Sequence, residues 1–268
     1  MIPQRLSVSG HTLIEALVAL ILASFVLGAA LGLYLAQQKA GQAAHDTWQG
    51  RDAAATALAL LEQPIRMAGF APLGVSPAAS QQPAVFGCAA ARPAGSVISP
   101  QCDPAAAGSD GLQVSFIGDA ISTWPTSAGL VTDCLGQGVA PPASMPRVVN
   151  RYFVRPRGAS GEPELYCEGN GRSGVAQPLV EGIERLRLRY RLQGATVWLA
   201  ADAVPRERWG DVSAIEVCVQ ALAARLARGA SYRGCDGETH RARDGRARVI
   251  ARRWLVLRNA ARQDESSA

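Results

Sequence analysis

From Ala16 to Ala36 the chain carries no charged side chain, and only Ser24, Tyr34, Gly28 and Gly32 interrupt an otherwise apolar run. At about 1.5 Å of rise per residue, a helix of this length crosses a hydrocarbon core of roughly 30 Å. One acid, Glu15, stands at the apolar end beside Leu13 and Ile14, where an unpaired carboxylate is costly. Beyond the run, apolar positions recur at spacings of mostly three and four: Ala43, Ala44, Trp48, Ala53, Ala54, Ala57, Leu58, Leu61 and Ile65. That spacing predicts an amphipathic continuation of the same helix over residues 37–69. Pro64 is expected to kink or end it locally, and Gly69 to stop it.

After Gly69 the pattern changes twice. Pro72, Pro77, Pro83, Pro93, Pro100 and Pro104 punctuate a stretch that reads as an extended loop, and a second irregular stretch runs from Thr123 to Pro146. Between and beyond these loops the period becomes two. Strands are predicted at Leu112–Phe116, Val148–Val154, Glu164–Cys167, Glu184–Gln193, Asp211–Gln220 and about Ala247–Arg258. In the clearest of them Leu186, Leu188, Tyr190 and Leu192 point one way, and Arg185, Arg187, Arg189 and Arg191 the other. Thr196–Leu199 follows Gly194 closely enough to predict a hairpin. An antiparallel sheet with one apolar face, laid on the end of a long helix, gives an α+β fold.

Composition narrows the chemistry. Six cysteines (Cys88, Cys102, Cys134, Cys167, Cys218, Cys235) all follow the apolar run. Arg5 and the initiator amine precede it, which orients the N-terminus inward. The cysteines then lie in an oxidising compartment as disulfides. Six cysteines allow 15 connectivities. Sequential neighbours are the expectation, with Cys88–Cys102 foremost, since a loop of that size contributes roughly 3 kcal/mol. The net charge is +5, and all but Lys39 of the 27 basic side chains are arginine. The Arg185–Arg191 stripe and the cluster Arg241, Arg243, Arg246, Arg248, Arg252 and Arg253 read as solvated or subunit-facing. Neither carries the interleaved aromatic platform of a nucleic-acid site, so no nucleic-acid partner is expected. His11, His45 and His240 stand apart from any cysteine pair of metal-ligand spacing. Asp236, Glu238 and Asp244 read as a polar turn and not a calcium loop. No nucleophile elbow or phosphate loop appears, so the expectation is a protein without enzymatic activity, cofactor or metal.

Gly10-His11-Thr12-Leu13-Ile14-Glu15 at the mouth of the apolar run resembles the class III signal of type IV prepilins and type II secretion pseudopilins. His11 departs from the family pattern, which usually has Phe there. The resemblance implies cleavage after Gly10 by a prepilin peptidase and methylation of the new amine on His11. It also implies a filament-core role for the helix, with Glu15 neutralising a neighbour's N-terminus. Gly28-Ala29-Ala30-Leu31-Gly32 forms a GxxxG, which fits both a close helix contact and chance spacing. The run Leu61–Phe70, the segment Val180–Leu186 with Tyr190, and Leu257-Arg258-Asn259 resemble PilW-like minor pilins.

The implied architecture is pilin-like. It comprises a leader over 1–10, a transmembrane and filament-core helix over 11–36, and an amphipathic continuation over 37–69. A periplasmic β-rich domain with disulfide-stapled loops follows over 70–268. The implied function is that of a minor type IV pilin that primes pilus assembly and supports twitching motility and adhesion. Its partners would be other minor pilins, the major pilin, the prepilin peptidase and the inner membrane, with a final place near the pilus tip. The alternatives are a J-type minor pseudopilin of type II secretion, and a tip adhesin or DNA-uptake subunit.

Overall fold

The structure, a computed structural model, describes residues 12–73, 82–96, 98–104, 108–119, 122–139, 146–156, 161–225 and 231–259. Gly10 and His11, the residues expected to be processed, lie outside them. The chain divides into two compact units, 1–45 and 46–268. One helix, α1 (Leu13–Met67), supplies the described part of the first unit and continues into the second.

Within the second unit, α1 turns Ala54, Ala57, Leu58, Leu61 and Ile65 into the core, and Ala68 joins them just past its end. This stripe is the one the three- and four-residue spacing predicts. Its upstream members behave otherwise, since Ala43, Ala44 and Trp48 are exposed. The buried stripe begins near Gly50, where an added Cβ would lie 2.7 Å from both the Leu222 carbonyl oxygen and the Ala223 Cβ. Pro64 does not end the helix, which runs on to Met67. Pro64 lacks a single N–H close to the C-terminus, and burial of Leu61, Ile65 and Ala68 holds the last turn. The Gly69 N–H then donates to the Ser115 carbonyl at 2.9 Å, docking the helix end on the sheet.

Five antiparallel strands form the larger sheet, in the order β1-β4-β5-β6-β7. They are β1 (Val85–Cys88), β4 (Gly111–Ile117), β5 (Arg147–Pro156), β6 (Pro163–Gly169) and β7 (Ala176–Glu181). A separate ribbon pairs β2 (Ala91–Gly95) with β3 (Pro100–Pro104). Much of the expected loop between Pro72 and Pro104 is therefore sheet. All four residues of β1 are buried, so no alternation betrays it. The β2–β3 ribbon tolerates Pro93, Pro100 and Pro104 because a two-stranded ribbon leaves outward positions that need no N–H.

A second sheet, in the order β12-β9-β8, replaces the single sheet expected from the pattern. It contains β8 (Ile183–Leu192), β9 (Val212–Arg225) and β12 (Arg246–Val256), all antiparallel. Gly182, at φ +79°, is the only residue between β7 and β8 and turns the chain from one sheet into the other. The expected hairpin after β8 shrinks to one bridge, Tyr190 to Leu199, and Ser109 and Asp110 take the neighbouring peptide groups of that edge at Leu186 and Leu188. The inward residues of both sheets and the α1 stripe form one continuous core. Tyr190, fully buried at its centre, meets Trp209 edge-on at 4.8 Å between ring centroids.

Three disulfides tie the periphery to this frame, and they join sequential neighbours. Cys88–Cys102 links β1 to β3, Cys134–Cys167 pins the loop before β5 onto β6, and Cys218–Cys235 links β9 to a short hairpin. That hairpin pairs β10 (Ser231–Arg233) with β11 (Thr239–Arg241).

Candidate functional site

In the first unit, α1 exposes Leu13, Ile14, Leu17, Val18, Leu20, Ile21, Phe25 and the apolar side chains that follow through Leu35. Its length and apolar character are those of a membrane span. Among the described residues, no atom outside the helix's own backbone lies within 4 Å of a Cβ built on Gly28 or Gly32, which leaves room there for another helix.

Glu15 sits in the first turn, where a carboxylate complements the positive end of the helix dipole. Its Oε2 accepts the Thr12 N–H at 2.9 Å, and Thr12 Oγ1 accepts the Glu15 N–H at 3.4 Å. This reciprocal pair is a capping box, which satisfies two of the donors a helix leaves open at its start. The Thr-x-x-Glu spacing was legible in the chain, but reading Glu15 only as a charge in an apolar run hid its local task. Glu15 thus holds the Thr12 amide, the residue after His11, and keeps the helix start in shape.

In the second unit several of these arginines have partners within the chain, while Arg189, Arg241, Arg243, Arg252 and Arg253 are exposed. Arg187 pairs with Asp110 at 2.8 Å, Arg191 lies over the Trp198 ring, and only Arg189 of the stripe is exposed. Arg246 pairs with Glu162, Arg253 with Glu62, and Arg252 with Glu216 at 3.3 Å. Arg248 is clamped between Glu184 at 2.7 Å and Asp244 at 2.6 Å. Hydrogen bonds from Arg248 push the Asp244 carboxyl down to about 2. Burial pushes Glu184 up, but hydrogen bonds from Arg248 and Gln220 outweigh it and leave the carboxyl below its ordinary value. The reason for the pairing is tertiary: β9 sets Glu216 beside β12, within reach of Arg252, and α1 brings Glu62 to the same strand.

Asp110 joins the two sheets. Its carboxylate accepts the N–H groups of Ala90 at 2.9 Å and Leu188 at 2.8 Å, besides the Arg187 guanidinium. Nothing in the run Gly108-Ser109-Asp110 announces this role, because its partners come from distant strands. A cleft of about 230 Å³ lies between the end of α1 and the 122–134 loop, lined by Met67, Phe116, Trp124, Asp133, Asn150 and Tyr152 among others. Asp133 there accepts the N–H groups of Leu135, Gln137 and Gly171, and Asn150 Oδ1 accepts that of Cys134. These polar groups are committed to shaping the loop. Among the described residues no group of three or more His, Cys, Asp or Glu side chains is placed to hold a metal ion. Asp236 binds His240 within the β10–β11 hairpin at 2.8 Å.

Residues 151–259 match the family of PilW, type IV pilus-assembly protein W. Over that stretch the chain is similar to PilW. The PilW-like stretch runs from within β5 to just past β12 and takes in the whole second sheet and the Cys218–Cys235 disulfide. No curated protein matches the chain. A type IV-like pilin from Thermus thermophilus is similar among solved structures, at 14% identity and a TM-score of 0.45, over 79% of this chain and 98% of that one.

Proposed function

We propose that this PilW-like chain is a minor pilin that enters the membrane as a prepilin, is cut after Gly10, and joins other minor pilins in a complex that primes pilus assembly. The observation that carries the reading is an exposed apolar helix, with Glu15 in its first turn, leading into a disulfide-bonded domain that bears the PilW pattern. The role is structural, with no reaction assigned to it. The working parts are the His11 amine, the Glu15 carboxylate and the apolar surface of α1. In a filament core, a carboxylate and an amine from adjacent helices neutralise one another, and a wrong stagger leaves both charges unpaired. In this reading the second unit stays on the periplasmic side and ends near the pilus tip, in support of twitching and adhesion.

Two substitutions test it by separating the charge of Glu15 from its cap. Glu15→Gln keeps an acceptor for the Thr12 N–H, since glutamine serves in a capping box, but removes the charge. Glu15→Ala removes both. The expected result is that both variants are processed to a His11 N-terminus, seen by mass analysis of membrane-extracted protein, and that both fail to support piliation. Normal piliation with Glu15→Gln would overturn charge pairing, and an intact leader on the wild-type chain would overturn the prepilin reading.

A further inference from the structure

The two edges of the β12-β9-β8 sheet are finished differently. Along β8 the outward peptide groups are taken. The Leu186 N–H donates to Ser109 Oγ, and its carbonyl accepts the Asp110 N–H. The Leu188 N–H donates to Asp110 Oδ2, and Tyr190 exchanges both backbone bonds with Leu199 at 2.8 Å. Peptide groups alternate in direction along an antiparallel strand, so Arg187, Arg189 and Arg191 face β9. Carried across the register of Arg189 with Glu216 and of Glu216 with Trp254, the alternation turns the peptide groups of Arg252, Trp254 and Val256 away from β9. The bond from the Leu257 N–H to the Ser213 carbonyl at 2.9 Å fixes the same phase from the other end.

Among the described residues, β12 pairs with β9 alone, and no backbone group meets that outward row. In the larger sheet β1 is buried throughout, and the other edge strand, β7, carries Pro178, which lacks an N–H. The β12 edge is also accessible, with Trp254 62% and Val256 57% exposed. Its charge is one-sided. Arg66 and Arg253 share the single carboxylate of Glu62, while Glu216 serves both Arg252 and the Trp254 indole N–H. Arg258, just beyond the strand, is exposed. The edge thus offers backbone donors and acceptors, an indole, an isopropyl group and an excess of cations.

We propose that β12 takes an added strand: an extended segment of another polypeptide, with acidic side chains facing Arg252 and Arg253 and apolar ones facing Trp254 and Val256. In strand addition, main-chain bonds supply affinity and alternate side chains supply specificity. A second copy fits worse. Any pairing of this edge with a copy of itself brings two cationic rows together, since residues 250–258 carry Arg252, Arg253 and Arg258 and no acidic side chain to oppose them. The inference rests on the edge itself and stands apart from the assembly reading.

The test uses the full chain in detergent with two fluorescein-labelled peptides, Thr-Val-Thr-Val-Glu-Glu-Thr and its Lys-Lys counterpart. The expected result is that the acidic peptide binds at least about tenfold more tightly and slows hydrogen exchange at the Trp254 and Val256 amides. Arg252→Glu is expected to reverse the preference. Val256→Pro, which removes an N–H that β9 does not use, is expected to weaken binding about tenfold with the fold intact. Equal affinity for both peptides, or bound peptide without slowed exchange at those two amides, would overturn the proposal. So would slowed exchange there on self-association without peptide, which would assign the edge to a second copy. The exchange measurement needs no variant and stands even if Val256→Pro fails to fold.

Discussion

Gly87→Ala is expected to be among the most damaging single-methyl additions in the molecule. Gly87 lies in β1 directly under the Tyr190 ring, and a Cβ built there falls 2.0 Å from the Tyr190 hydroxyl oxygen and 2.5 Å from Cζ. Contacts between carbon atoms settle near 3.5–4.0 Å, so the ring must move by more than an ångström. It has little room to do so. Tyr190 is fully buried, Trp209 stands against it at 4.8 Å, and Phe86 in turn packs on Trp209 at 5.1 Å. Overpacking a close-packed core costs typically 1–3 kcal/mol and occasionally more, and this geometry belongs at the top, at about 3 kcal/mol. In a domain of this size that corresponds to a fall in Tm of about 6–12 °C. Urea unfolding of the chain in detergent, followed by the fluorescence of buried Trp209, measures it directly. The companion variant Tyr190→Leu removes the obstacle, so the double variant is expected to lose at least about 1 kcal/mol less than the two single losses together, as coupled neighbours do. A Gly87→Ala cost below about 0.5 kcal/mol, typical of an unconstrained surface site, or strict additivity with Tyr190→Leu, would refute the wedge.

Asp110→Ala strips partners from two backbone N–H groups and from Arg187, so a loss of about 3–5 kcal/mol is expected by urea unfolding; a loss under about 1 kcal/mol would show that Asp110 does not join the sheets. The Arg248 clamp predicts an acid-dependent contribution. The Asp244 carboxyl is pushed down to about 2 and Glu184 is also below its ordinary value, so their stabilisation is present above the unfolded carboxylate range and is lost as pH falls through the folded values. The stability gap between the wild type and Arg248→Met is therefore expected to narrow from about pH 5 to about pH 2, and a gap that stays constant over that window would contradict the assignment.

Much of this architecture was legible in the chain because it depends on local period. The apolar run and the three- and four-residue spacing marked α1, and strict alternation marked β8, with Leu186, Leu188, Tyr190 and Leu192 all buried as the pattern required. The Thr12–Glu15 cap was equally local and could have been read from its spacing. β1 escaped because a strand buried on both faces does not alternate, and β2 and β3 escaped because proline normally argues against strands.

What the chain alone determined, then, was the exposed apolar helix with its single early acid, the strand periods, and an even cysteine set suited to neighbour pairing. Each is a property of residues close together, where helix and strand geometry map spacing onto faces. Only the tertiary structure decided that the strands divide into two sheets at Gly182, and that Glu62, Asp110, Glu184 and Glu216 meet the arginines. It alone also left β12 as an edge whose outward peptide groups are unpaired among the described residues. Those outcomes depend on which strands become neighbours, and that is set by packing of the common core around α1 and Tyr190, which no local spacing encodes.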